Sequence, residues 1–259
     1  MSSDELVLYN ADFCPFAQRA WIAVHELGIP FTMKYINYFD KGREDTKEFL
    51  AVSPSATVPA GVHKGNNVYD SLNMIQYLEE AFGKQGTLYP KDAYKAFQAR
   101  ALIEKHGKFV GAFYGFLMAQ DSIEEKKEAY LGALKNLEAD IVGPYFMGED
   151  FTIVDVAFIP FYERAEILLS HYKKTETPKE LTKVLAWAEK VKSRDGFKKT
   201  SLERTKESLE ILPEDWADIK ERKAFLIAVY EIYSKGGAAV SAFKKDYQKR
   251  MDDKRASKA

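Results

Sequence analysis

Strand-like patterning is confined to the first third of this 259-residue chain, and the apolar residues that follow recur at helical spacing. Runs of strands followed by runs of helices pack as a mixed layer beside a helical one, not as a continuous alternation of the two. Leu6-Val7-Leu8-Tyr9 reads as a short apolar strand, and Pro15 to Leu27 as a helix that stops at Gly28. Phe31 to Asn37 alternates as a second strand, and Lys47 to Val52 suits a short helix. Val58 to Val62 and Asn67 to Tyr69 read as two strands around a Lys64-Gly65-Asn66 turn. Ser71 is placed to cap a helix reaching Phe82, ended by Gly83. The order βαβαββα predicts a small mixed α/β domain over residues 1–83. Gly86 and Pro90 mark residues 84–93 as a linker. Helical spacing over Tyr94–Gln120, Ser122–Ile141, Ile153–Leu169 and Pro178–Arg194, then an amphipathic segment to Tyr233, predicts an all-α C-terminal domain over residues 94–235. Residues 236–259 remain as a basic tail, with seven Lys/Arg against three Asp after Gly237. A charged terminal helix is its expected form, with electrostatic docking as the alternative.

Several function classes are disfavoured by composition. A formal charge of −1 draws the molecule toward neither nucleic acid nor an anionic membrane. His25, His63, His106 and His171 are scattered without ligand spacing, so no metal is expected. Gly83-Lys84-Gln85-Gly86 lacks the context of a phosphate loop. The apolar stretch from Phe151 to Phe161 is broken by Asp155 and Pro160 and is too short to span a bilayer. The polar start Met1-Ser2-Ser3-Asp4-Glu5 runs directly into a strand pattern, which predicts a cytoplasmic, reducing setting.

Chemistry centres on Phe13-Cys14-Pro15-Phe16-Ala17-Gln18-Arg19, which holds the single cysteine. A cysteine after a strand, followed by proline and a helix, meets unpaired backbone N–H groups and the positive end of the helix dipole. Both favour thiolate, so a value roughly two units below the ordinary cysteine pKa of about 8.5 is expected. The alternative is an inert, buried cysteine. Ala17 stands where a second cysteine of a Cys-x-x-Cys pair would lie, so disulfide exchange at Cys14 needs an external thiol to resolve it.

The same segment resembles the active-site signature of omega-class glutathione transferases. Ser53-Pro54-Ser55-Ala56-Thr57-Val58-Pro59 and Tyr69-Asp70-Ser71 resemble the glutathione-binding stretch of that family. The resemblance implies a thioredoxin-like N-terminal domain, an all-α C-terminal domain, glutathione as co-substrate and a homodimer. It implies Cys14 as the catalytic residue. Val58, before a cis Pro59, pairs with the cysteinyl backbone of glutathione, and Asp70 and Ser71 hold the γ-glutamyl end. Phe16 and a basic residue, Lys41 with Arg43 and Lys47 as rivals, complete the glutathione site. A carboxylate suits a helix start and an ammonium suits Asp70. Gly148-Glu149-Asp150-Phe151-Thr152-Ile153-Val154-Asp155 resembles the family's helix-capping motif, with Thr152 and Asp155 spaced for reciprocal capping. Phe161 to Glu166 and Glu214-Asp215-Trp216 resemble stretches of the acceptor pocket, which assigns Arg164 and Trp216 to it. Phe109, Phe113, Tyr114 and Phe116 recur at helical spacing and are expected to pack in the core, with Tyr114 bordering the acceptor pocket as the alternative.

Three readings follow. The first is glutathione-dependent thiol transfer or reduction through a Cys14 mixed disulfide. The second is conjugation of glutathione to electrophiles, for which Tyr9, near the end of the first strand, is the natural activator. The third is a non-catalytic relative, since chloride intracellular channel proteins resemble the same cysteine motif. That reading needs a membrane-inserting segment near the first helix, and the apolar run Ala20 to Val24 stops at His25-Glu26.

Overall fold

The computed structural model describes residues 5–11, 13–36, 44–202 and 229–256. Four strands, β1 (Leu6–Asn10), β2 (Phe31–Tyr35), β3 (Ala60–His63) and β4 (Asn66–Tyr69), form one sheet in the order β2-β1-β3-β4. β2 lies parallel to β1, with Leu6 opposite Phe31 and Asn10 opposite Tyr35, and β3 is antiparallel to both β1 and β4. Gly61 permits this pairing, because a Cβ there would meet the Val7 carbonyl oxygen at 2.7 Å. The helices of this half are α1 (Pro15–Glu26), α2 (Glu44–Val52) and α3 (Ser71–Ala81). This is the small mixed sheet that the patterning predicts, in the thioredoxin-like form that the resemblance implies.

The elements described in the other half are helices: α4 (Ala93–Leu117), α5 (Ile123–Asp140), α6 (Ile153–Lys173), α7 (Thr182–Lys192) and the short α8 (Asp195–Lys198). Residues 229–234 are helical (α9), and α10 (Gly237–Ala256) is the helix formed by the basic tail.

Some element ends differ from expectation for local reasons. β3 begins at Ala60, because Pro59 has no N–H to give a ladder. Asp70, not Ser71, caps α3, its carboxylate accepting from Asn73 N at 3.3 Å. α7 opens at Thr182, since the N–H of Leu181 turns back to the Pro178 carbonyl at 3.0 Å.

One apolar core runs through both halves. Leu6 and Leu8 of β1 join Ala17, Ala20, Ile22, Ala23 and Val24 of α1, all buried. α1 packs against α3 on its own side and against α6 and α8 of the helical half. α6 is sealed at its start by the reciprocal cap of Thr152 and Asp155. The buried Asp155 carboxylate also takes the N–H of Phe146 at 2.9 Å and the indole N–H of Trp187 at 2.8 Å, so one side chain ties α6 to α7 and to the preceding loop.

Candidate active site

Cys14 lies where the sheet hands the chain to α1. Its N–H closes the turn by donating to the Ala11 carbonyl at 2.9 Å, and its extended backbone (φ −88°, ψ 114°) makes it the N-cap residue, with Pro15 opening the helix. The thiol forms no capping bond, and the backbone N–H groups of Phe16 and Ala17 are directed toward it. Across the site, Sγ faces the Val58 carbonyl oxygen at 3.7 Å, so the cis Val58–Pro59 peptide borders the sulfur.

The surroundings of Cys14 oppose the expected depression of its pKa. Burial pushes the half-buried thiol up, and this outweighs the opposing pull of the Ala17 N–H, Arg164, the Phe16 N–H and Arg19. The helix terminus acts in the anticipated sense, but the sequence gives no measure of how far the surrounding helices desolvate the sulfur.

Asp70 and Ser71 stand at the start of α3, Asp70 exposed and Ser71 buried. Asp70 has φ 64°, in the left-handed region that a non-glycine residue occupies at a cost of roughly 1–2 kcal/mol. Arg19 joins this corner to Cys14. Its Nη1 donates to Ser71 Oγ at 3.2 Å and its Nε to the Ala157 carbonyl of α6 at 2.9 Å. The guanidinium carbon lies 5.0 Å from the Phe16 ring centre and 4.8 Å from that of Phe161, within cation–π range of both. Burial lowers its pKa to about 10, which leaves it cationic at neutral pH. Phe16, 39% exposed, rests edge-on against Phe161 at 4.9 Å.

The helical half closes the site from behind. Arg164, 1% exposed, donates through Nε to the Phe13 carbonyl at 3.2 Å and through Nη1 to the Pro160 carbonyl at 2.8 Å and to the side-chain oxygen of Gln18. Tyr230 donates its hydroxyl to the same Phe13 carbonyl at 3.0 Å. Tyr114 of α4 and Tyr233 of α9 have ring centres 6.4 Å apart. Burial pushes the phenols of Tyr114, Tyr230 and Tyr233 up, so all three are uncharged in the neighbourhood of Cys14.

The structure thus brings together Cys14, Phe16, Val58, Pro59, Asp70, Ser71, Tyr114 and Arg164, with Arg164 sunk behind the Cys14 turn. Lys41, Arg43 and Trp216 lie outside the described residues, and Lys47 is exposed on α2. Tyr9 does not point at the sulfur: it packs on Phe49 at 6.0 Å, with the Lys34 ammonium 5.6 Å from its ring centre. Gln18, Arg19, Tyr230 and Tyr233 were not among the sequence candidates. For the first two a signal existed, namely long polar side chains inside the otherwise apolar helix that follows the cysteine. A cavity of about 500 Å³ borders Leu88, Lys95, Phe151 and Arg194, and none of the residues around Cys14 lines it. Among the described residues no cluster of His, Cys, Asp or Glu could hold a metal ion, and no helix is long and apolar enough to cross a membrane.

Comparison with known proteins shows the family of the chain. Residues 13–81 match the family model for the glutathione S-transferase N-terminal domain, and residues 97–190 match that for the C-terminal domain. Glutathione S-transferase L3 of Arabidopsis thaliana is 33% identical over 205 residues, covering 79% of this chain and 85% of that protein. Glutathione S-transferase DHAR2 of the same plant is 32% identical, covering 78% and 88%. Among solved structures, glutathione transferase Omega 3C from Trametes versicolor superimposes with a TM-score of 0.68 at 29% identity, over 74% of this chain and 86% of that one. The cysteine turn, the cis-proline loop and the Asp-Ser helix start all lie within the matched region, and the chain belongs to the glutathione S-transferase family.

Proposed function

We propose that this protein is a glutathione-dependent thiol transferase and reductase that works through a mixed disulfide at Cys14. The observation that carries the reading is the placement of the chain's single cysteine, with Sγ at the α1 N-terminus, 3.7 Å from the Val58 carbonyl. Glutathione lies along the cis-proline loop in this reading. Val58 and Pro59 meet its cysteinyl backbone, Asp70 its γ-glutamyl ammonium, and Ser71 with the α3 start its carboxylate. Phe16 flanks the tripeptide, and Tyr114 borders the acceptor. The relatives named omega and DHAR support a redox assignment. We assign the division at residues 1–83 and 94–235, a cytosolic setting and a homodimer on the same family grounds.

The chemistry balances with one protein thiol. Cys14 thiolate attacks the glutathionyl sulfur of a mixed disulfide, the S–S bond breaks, and the acceptor leaves as its thiolate. A glutathione thiolate then attacks the Cys14 disulfide, releasing Cys14 thiolate and glutathione disulfide. With an oxidised carbonyl acceptor such as dehydroascorbate, Cys14 thiolate adds to the carbonyl. Glutathione thiolate then attacks Sγ, and the acceptor departs with the electron pair of the broken C–S bond, reduced by two electrons. A second glutathione clears the resulting disulfide.

Conjugation through Tyr9 has less support, because that side chain is committed to Phe49 and Lys34 and burial pushes its phenol up. Assays of Cys14→Ala and Tyr9→Phe on a glutathionyl disulfide and on a chlorinated aromatic separate the two. Thiol transfer predicts that Cys14→Ala abolishes disulfide reduction while Tyr9→Phe retains it within a few-fold. Near-full reductase activity in a folded Cys14→Ala protein would refute the proposal.

A further inference from the structure

The peptide that presents Cys14 is gripped from the other half of the molecule. Among the described residues, the Phe13 carbonyl accepts from Arg164 Nε of α6 at 3.2 Å and from the Tyr230 hydroxyl of α9 at 3.0 Å. Tyr230 alone would satisfy that carbonyl, so the buried guanidinium is not needed for pairing. A whole network keeps it in place. Gln18 offers its oxygen to Arg164 and its Nε2 to Glu163 at 3.0 Å, and Glu163 accepts from Ser201 Oγ at 2.7 Å and Leu202 N at 2.9 Å. Glu163 and Arg164 lie 3.7 Å apart, both buried.

We propose that Arg164 is the positioning residue of Cys14. It fixes the Phe13 carbonyl from behind the turn and sets a permanent positive charge against the thiolate, with Tyr230 as the second anchor of the same oxygen. This rests on the reading of Cys14 as the nucleophile and adds to it what tunes that nucleophile. Fixing the carbonyl orients the Phe13–Cys14 peptide, and hence the start of α1, whose Phe16 and Ala17 N–H groups face the sulfur.

Among the described residues, the titratable side chains that act on the sulfur come from four elements: Arg19 of α1, Tyr114 of α4, Arg164 of α6, and Tyr230 and Tyr233 of α9. The three phenols are uncharged, so among the described residues the thiolate meets two guanidinium charges. Arg19 is shared with Ser71 and two aromatic rings, whereas Arg164 is bonded to the cysteine turn itself.

The test is the pH profile of Cys14 alkylation by iodoacetamide, which requires no glutathione. Arg164→Met alone takes from the buried Glu163 carboxylate the counter-charge 3.7 Å away, so the informative variant is Arg164→Met with Glu163→Gln, its fold checked by circular dichroism and melting temperature. Its alkylation midpoint is expected about one pH unit above the wild type, the low end for loss of a nearby opposite charge. Arg164→Lys keeps the charge and should restore most of the shift. A folded double variant with an unshifted midpoint overturns the proposal. If the double variant does not fold, Glu163→Gln alone decides: freeing the guanidinium of its counter-charge must lower the midpoint, and an unchanged or raised midpoint overturns the proposal. A negative result leaves thiol transfer standing, and loss of the thiol-transfer reading would leave the alkylation shift intact.

Discussion

Asp70 does two jobs that a single substitution can separate. It caps α3 through its carboxylate while holding φ 64°, and it is the group assigned to the glutathione ammonium. Asparagine caps helices as well as aspartate and tolerates the left-handed region, so Asp70→Asn removes the charge and little else. Glutathione affinity in that variant should fall by about 1.5–3 kcal/mol, the worth of a charge-assisted hydrogen bond, with the melting temperature held. Calorimetry showing unchanged affinity would remove Asp70 from the site. At this scale the sequence was informative wherever the signal was local. Cys14-Pro15 before a helix, Val58-Pro59 before a strand and Asp70-Ser71 at a helix start are all adjacent pairs. The direction of the Cys14 pKa was not legible, because desolvation depends on helices more than a hundred residues away.

The elements differ in how much they announced. α6 was signalled by Thr152 and Asp155, whose three-residue spacing is the capping box. The full load on Asp155 was not signalled, since Phe146 and Trp187 reach it by tertiary packing. α6 also runs on to Lys173, past Leu169 where its apolar spacing fades, and ends at Lys174 in the left-handed conformation (φ 51°). This helix carries Phe161, Glu163 and Arg164, so its anchoring bears on the cysteine turn. Asp155→Ala leaves the N–H groups of Phe146, Thr152 and Trp187 buried without an acceptor, and is expected to cost about 3–5 kcal/mol. Thr152→Ala removes one cap bond and should cost about 1 kcal/mol. Urea unfolding of both variants checks the ranking, and an Asp155→Ala protein as stable as Thr152→Ala would contradict it.

At the scale of the molecule, the site lies at the meeting of its two halves. Gln18 and Arg19 on α1 reach across to Glu163 and Ala157 on α6, and Arg164 and Tyr230 reach back to Phe13. The two-part architecture was legible because strand patterning gives way to helical patterning once along the chain. The contacts that join the parts were not, since Arg164 and Phe13 are 151 residues apart and Tyr230 and Phe13 are 217 apart. No periodicity encodes such a pair. What the halves enclose is one thiol with no second cysteine in the chain to resolve it. The account therefore stands on covalent chemistry at Cys14, and intact mass after incubation with oxidised glutathione tests it most directly. It predicts a single added glutathione, removed by reductant or by reduced glutathione and absent in Cys14→Ala. A wild-type protein that stays unmodified, or a Cys14→Ala protein that still gains the adduct, would contradict it.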